Sequence, residues 1–419
     1  MRASMKAALA AAAALSLLLV GCSGASGGSS DKKIVLNMWG FSDLYKPQVK
    51  QYEKEHPNIT IQTKISDYDA SHQTLLTALA ANKGPDFAQI AIDYMGEFVA
   101  KPGAFQDLRQ YGADKIEKNY LDWRWAGGVA TNGHVVGIPT DVGGMAIAYR
   151  TDLFQAAGLP TDPKAVSALW PDWDGYLATG QKYVAATGKK FVDSGKSVFR
   201  AESNQGDEKY YNRKGKTVYE SNPQIKKSFD DGVAAIDGGM SANVATFTPQ
   251  WNAALTNGGF ATIPAPAWLL GTIEQQAPDL AKKWNIATLP GVSGNDGGSF
   301  LVIPKASAHP KEAYDFISWL ENPKQELANF KDTNTFPSTP SLYSDPAVTS
   351  LKNPYFNGAP VGRIYIASLK AVKGHPTGPQ DRIIENQFEN ALGRVDQGQQ
   401  KGPDAWKQAL GDAKREITG

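Results

Sequence analysis

Cysteine occurs once in the 419 residues, at Cys22. A lone cysteine excludes a disulfide framework and a thiolate metal site. Histidine is scarce too: His56, His72, His134, His309 and His375 are scattered, with no H-x-x-x-H pair, so no structural zinc site is expected. An excess of charge of either sign is missing. With 43 basic and 42 acidic residues, no field recruits nucleic acid or anionic lipid in bulk. After Val20 no apolar run is long enough to cross a bilayer. The chain has no G-x-S-x-G, no Walker A and no H-E-x-x-H, so no enzyme signature and no cofactor motif stand out. No internal repeat is visible, and a monomer is expected.

What is present begins at the N-terminus. Arg2 and Lys6 precede an apolar run from Ala7 to Val20, which ends in Leu19-Val20-Gly21-Cys22 and is followed by a Gly/Ser tract, Ser23 to Ser30. The run is too short and wrongly flanked for a retained spanning helix and has the layout of a secretory signal peptide. A small residue followed by Cys at the cleavage point predicts a bacterial lipoprotein signal over 1–21, lipidation at Cys22 and a flexible linker over 22–31. Two or more acyl chains hold a protein at a membrane surface where one holds it only marginally. The expected address is the outer face of the cytoplasmic membrane.

The remaining chain of nearly 400 residues suits two large lobes better than one core. Lys33 to Met38 reads as a buried strand that stops at Trp39-Gly40. Ser42 is placed to cap a helix with Tyr45, Val49 and Tyr52 on one face, ended by His56-Pro57. Ile59 to Ile65 alternates as an amphipathic strand, and Ser71 is placed to cap a helix burying Leu75, Leu76 and Leu79. Phe87 to Ile92 is the next strand, with Asp93-Tyr94 just past its end. This alternation predicts an α/β fold with a parallel sheet. Ligands in such sheets gather beyond the carboxyl ends of the strands, which is where Trp39, Phe41, Asp93 and Tyr94 lie. Pro139 to Gly143, Ile286 to Pro290 and Thr335 to Pro337 read as places where the chain changes lobes. Lys196 to Tyr219 is polar and turn-rich and predicts a hairpin or long surface loop, and Asn334 to Pro346 another loop. Pro310 opens a helix with Ala313, Phe316, Ile317 and Leu320 on one face; Gly362 to Val372 and Asp381 to Val395 are the last helices expected.

Ordered segments along the chain carry a resemblance. They are Val35 to Gly40, Tyr52 to Ile59, Gly84-Pro85-Asp86 with Ala91-Ile92-Asp93, Gly137 to Asp141, Tyr149 to Leu153, Ala265 to Trp268, Gly297-Gly298 with Leu301 to Pro304, and His309 to Ala313. In this order and spacing the chain resembles the extracellular solute-binding proteins of the maltose-binding type (family 1). The resemblance implies a two-lobe periplasmic-binding-protein-like fold (type II), each lobe a sheet flanked by helices, with three hinge crossings. It puts lobe 1 at 32–140 plus 288–335 and lobe 2 at 141–287 plus 336–419. It implies a receptor without catalysis that hands a carbohydrate to the membrane permease subunits of an ATP-driven importer.

Sugar rings present an apolar C–H face and a rim of hydroxyls, so stacked aromatics and charged hydrogen-bonding groups are the candidates. The resemblance places a sugar-binding Asp at Asp93, and Tyr94 stands where relatives carry Arg. It places a stacking aromatic at Trp268 and another at Tyr365, with Arg363 as a nearby donor. Trp39, Phe41 and Asp141 complete the expected ligand set, with Trp251 a lesser candidate. Arg124 and Arg150 read as surface or hinge-region charges, and Trp123, Trp125, Trp170, Trp173, Trp284, Trp319 and Trp406 as core. The aromatic supply and the lack of an Arg cluster point to a neutral oligosaccharide of cello or xylo type. The alternative is a lipoprotein glycoside hydrolase with two cleft carboxylates.

Overall fold

The structure is a computed structural model that describes residues 32–418; the expected signal peptide, Cys22 and the linker lie outside the described residues. One lobe is built on a five-stranded sheet. Its strands are β1 (Ile34–Gly40), β2 (Ile59–Ile65), β3 (Phe87–Ala91), β4 (Gly137–Pro139) and β9 (Ser299–Val302), in the order β2-β1-β3-β9-β4. β1 runs parallel to β2 and β3, as the alternation of strands and helices requires. β9 runs antiparallel to β3 and β4, because it returns from the other lobe rather than from a helical crossover. Helices α1 (Lys46–Glu55), α2 (Tyr68–Ala80) and α3 (Ile92–Val99) flank this sheet.

The other lobe holds a three-stranded sheet of β6 (Met145–Arg150), β7 (Thr262–Pro266) and β8 (Trp284–Thr288), in the order β7-β6-β8 and antiparallel throughout. All six residues of β6 are buried, as a central strand covered on both faces must be. Trp170, Tyr176 and Phe191 pack on one side of it, and Trp251, Phe260 and Tyr365 on the other. A further cluster joins helix Gly195–Ser203 to the last two helices through Phe199, Phe229 and Phe388.

Three passages link the sheets, and they lie side by side. β5 (Asp141–Val142) pairs with β10 (Phe336–Pro337), so the first and third passages form a two-stranded ribbon. The second passage docks on the first: Asp296 N donates to Gly143 O at 2.8 Å, and Gly143 N donates to Asn295 Oδ1 at 2.8 Å. A Cβ at position 143 would overlap the Asp296 carbonyl oxygen, which is why glycine stands there.

Several local expectations change. Tyr45, not Ser42, precedes α1, and Asp67, not Ser71, caps α2 by accepting from Ala70 N. The stretch expected as a hairpin or loop begins instead with helix Gly195–Ser203, whose cap Ser194 accepts from Ser197 N at 3.2 Å, and only its later part turns back, with Tyr211 bridged antiparallel to Thr217. β10 lies inside the loop expected over 334–346. A closing helix, Gly402–Thr418, was not expected; it buries Gly402, Ala405, Ala409 and Ala413 and packs Trp406, Leu410 and Ile417 against the same cluster. Arg124 and Arg150 are buried rather than on the surface. Arg124 donates to Ser299 O at 2.7 Å, and Arg150 pairs with Asp152 at 2.8 Å.

One buried acid gives a test of the second lobe. Asp193 is 0 % exposed and accepts from Ser194 N and Trp251 Nε1. Burial pushes its carboxyl up to about 7. The folded protein therefore keeps this proton between the unfolded value near 4 and about 7, and ionisation in that window costs stability as pH rises. Replacing Asp193 with Asn should gain stability relative to the wild type as pH goes from 4 to 8, by on the order of 1–4 kcal/mol. Urea melts at several pH values measure this; a difference independent of pH would contradict it.

Candidate functional site

The two lobes meet at the end of β3. The strand stops at Ala91 and α3 starts at once, so Asp93 stands in the first helical turn facing the other lobe. A carboxylate there is favoured by the helix dipole. Tyr68, the first residue of α2, donates its hydroxyl to Asp93 Oδ1. His72 fixes the geometry beneath. Its Nε2 accepts from Ala91 N at 3.0 Å, which leaves Nδ1 as the donor to Tyr68 O at 2.7 Å. Burial holds this imidazole below its ordinary value, so it stays neutral as both bonds require. Its ring lies between Tyr94, stacked at 4.0 Å, and Phe41 at 5.3 Å. Tyr94 donates to Asp69 Oδ1 at 2.6 Å. The first lobe thus presents Asp93 beside an aromatic wall.

The second lobe answers with two guanidiniums. Arg200, on helix Gly195–Ser203, donates to Asp296 at 3.0 Å and lies 3.6 Å from Asp93 and 3.5 Å from Glu389. Arg382, in the first turn of helix Asp381–Asp396, lies 3.7 Å from Asp93, 3.4 Å from Asp69 and 3.5 Å from Glu385, with its guanidinium 5.7 Å from the Tyr94 ring centre. Lys209 completes the group by donating to Glu385 at 2.7 Å. Burial works to raise Glu385, but the charges of Lys209, Arg200 and Arg382 win and hold it well below the carboxylate range. Burial and the Lys209 charge press His375 down to about 3, so it is neutral here. Asp93 Oδ2 and Arg382 Nε are buried and have no hydrogen-bond partner.

The segment 372–380 runs from the second lobe over this junction. Gly378 lies so close to Gly96 of α3 that a side chain at 96 would strike its carbonyl, and Gly374 sits against Trp123. Asp381 anchors the segment by accepting from Gly378 N at 2.9 Å.

Of the residues expected from sequence, Phe41, Asp93 and Tyr94 come together here. Trp268 is one step away: its Nε1 donates at 2.9 Å to the carbonyl of Asp296, whose carboxylate holds Arg200, and its ring stacks on the exposed Phe247. The others have partners of their own. Trp39 lies under Lys64 Nζ at 4.6 Å. Asp141 is buried in the first passage, accepting from Thr140 Oγ1 and Ser299 N, and burial raises its pKa. Tyr365 is buried and donates to Ala265 O at 3.1 Å, while Arg363 is exposed on the same helix. Trp251 is fully buried. Sequence reasoning missed Tyr68, His72, Arg200 and Arg382. One signal for Arg382 was available: a cation in the first turn opposes the helix dipole and asks for a carboxylate partner.

The comparisons agree with this two-lobe architecture. A family model described as bacterial extracellular solute-binding protein matches residues 48–355. The chain is 26 % identical over 337 residues to the arabinooligosaccharide-binding protein of Bacillus subtilis (strain 168), covering 74 % of each. It is 27 % identical over 298 residues to the lactose-binding protein of Rhizobium radiobacter, covering 66 % of each. A crystal structure of an extracellular solute-binding protein family 1 member superposes with a TM-score of 0.82 at 37 % identity, over 91 % of this chain and 99 % of that one. The matched span, the fold and the junction between lobes make this chain a member of the bacterial extracellular solute-binding protein family.

Proposed function

We propose that the protein is the capture receptor of an ATP-driven carbohydrate importer and takes a neutral oligosaccharide between its lobes, binding it without chemical change. The observation that carries this reading is the state of Asp93 and its partners. The carboxylate oxygen Oδ2 is buried and unbonded, and the nearest guanidinium nitrogens stand at 3.6 and 3.7 Å, beyond a made hydrogen bond. A sugar hydroxyl can donate to the one and accept from the other, and bonds to ionised groups are the stronger kind. Phe41 and the Phe247–Trp268 pair supply apolar faces on which a ring's C–H face can stack, while Tyr94 is buried between His72 and Arg382.

Charge favours a neutral ligand. Arg200, Lys209 and Arg382 already face Asp69, Asp93, Asp296, Glu385 and Glu389, which leaves no surplus cation for an acidic sugar. Two relatives are named for arabino-oligosaccharides and lactose, both neutral. Cello- and xylo-oligosaccharides belong to the same class. Capture then follows a population shift: contacts made by ligand to both lobes favour the closed form, which the permease subunits recognise. The lobe division at 140/141, 287/288 and 335/336 and the lipid tether at Cys22, which keeps the receptor beside its permease on the outer face of the cytoplasmic membrane, are parts of the same proposal.

Calorimetry against neutral di- to tetrasaccharides should find at least one ligand with micromolar or tighter affinity, about −8 kcal/mol or better. Silence with every sugar, alongside a response to a peptide or polyamine, would overturn the assignment. With that sugar, Arg382→Ala and Trp268→Ala should each lose about 1–3 kcal/mol of binding; an unchanged affinity would return the residue to a purely structural part.

Gly96→Val tests closure separately. In this structure the added side chain would overlap the carbonyl of Gly378, which comes from the other lobe, so it opposes this arrangement of the lobes. Affinity should fall by roughly tenfold or more, with a larger radius of gyration in X-ray scattering. Wild-type affinity in this variant would contradict a closed bound form.

A further inference from the structure

A cavity of about 10 Å³ lies beside the two-stranded ribbon, lined by Tyr45, Thr140, Glu321, Glu326, Asn329 and Thr335 among others. That volume suits one water-sized occupant. The lining is rich in oxygen and draws on two of the three passages between lobes: Thr140 directly precedes β5, and Thr335 directly precedes β10. Glu321 and Glu326 come from the end of helix Pro310–Leu320 and from helix Pro323–Thr333.

Three of the lining side chains carry a buried oxygen without a partner: Tyr45 Oη, Glu321 Oε1 and Glu326 Oε2. These residues are 3 %, 7 % and 4 % exposed. Glu326 uses its other oxygen to accept from Ser338 Oγ at 2.7 Å. Among the described residues neither glutamate forms an ion pair. Arg124 acts on Glu321 through space but makes no ion pair with it: it lies against the Phe300 ring, donates to Ser299 O, and shares its charge first with Asp141. Two buried carboxylates facing one small cavity with no ion pair to either is a costly arrangement. Burial raises the proton affinity of both, Glu326 to about 7, and the charge of Glu326 raises Glu321 further. A proton or a bound cation relieves it.

We propose that this cavity is a binding site for one small hard cation, held by the two carboxylates and by neutral oxygens. Oxygen-only donors with two carboxylates suit calcium in charge and type, and sodium in type; they do not suit zinc or copper, which prefer imidazole or thiolate. An ion there ties the strands that join the lobes to the helices of the first lobe. The site stands apart from the sugar junction, so its fate and that of the sugar reading are decided separately.

The test uses chelator-treated, desalted protein at constant ionic strength, held with choline chloride. Calcium chloride, magnesium chloride and sodium chloride are titrated in parallel while thermal unfolding is followed. Calcium or sodium should raise the melting temperature by several degrees. The rise should vanish in Glu321→Gln and Glu326→Gln. Terbium provides a second readout: its luminescence, excited through tyrosine, should saturate at one ion per chain, be displaced by calcium, and drop in Tyr45→Phe. No rise with any cation in the wild type, an equal rise in the glutamine variants, or terbium emission that is absent or unaffected by Tyr45→Phe would overturn the proposal and leave the cavity to water or a proton.

Discussion

The structure depends on what happens at Asp93. A single carboxylate, set by the abrupt change from β3 to α3, receives the Tyr68 hydroxyl from its own lobe and faces Arg200 and Arg382 from the other. Asp69 meets Arg382 as well, but Asp93 faces both guanidiniums of the other lobe. The guanidiniums stop short of it, and their remaining charge is spread over Asp69, Asp296, Glu385 and Glu389. A junction of this kind is attractive without being satisfied. It draws the lobes together and leaves hydrogen-bonding capacity for a third party, which is what a receptor that closes on its ligand requires.

The passages between lobes supply the complementary constraint. They must let the lobes move, yet they are held to one another: β5 to β10 by ladder bonds, and Gly143 to Asp296 by close backbone contact. Asp296 takes part at both places, since its backbone docks on Gly143 and its carboxylate holds Arg200. Trp268 rests on the same carbonyl. The passages, Trp268 and the ionic junction are therefore one connected set, joined through Asp296.

Much of this was legible in the sequence because buried strands announce themselves. β2 spans Ile59–Ile65 as its alternation predicts, β3 ends within a residue of its expected end, and β6 is the apolar run after Gly144. The place of Asp93, just past the end of β3 and facing the other lobe, could be read because position beyond a strand is a local property. The partners from the second lobe could not be found the same way. Helix Gly195–Ser203 lies in a polar stretch and owes its existence to distant residues, with Phe199 packed 5.8 Å from Phe388, so Arg200 was hidden inside an expected loop. Tyr365 shows the opposite difficulty. With Ile366 and Leu369 it forms the buried face of its helix, and an aromatic in such a stripe looks the same from sequence whether it meets core or ligand. Asp141 is similar: a carboxylate in a hinge strand reads from sequence as a ligand contact, and here its bonds go to Thr140 and Ser299.

The most direct measurement is a crystal structure with a neutral oligosaccharide bound. The account expects a sugar ring at the junction of α3 with helices Gly195–Ser203 and Asp381–Asp396, its hydroxyls bonded to Asp93 and to at least one of Arg200 and Arg382, and the aromatic ring of Phe41 or of Trp268 against its C–H face. A sugar bound elsewhere, with Asp93, Arg200 and Arg382 making no contact to it, would contradict the account.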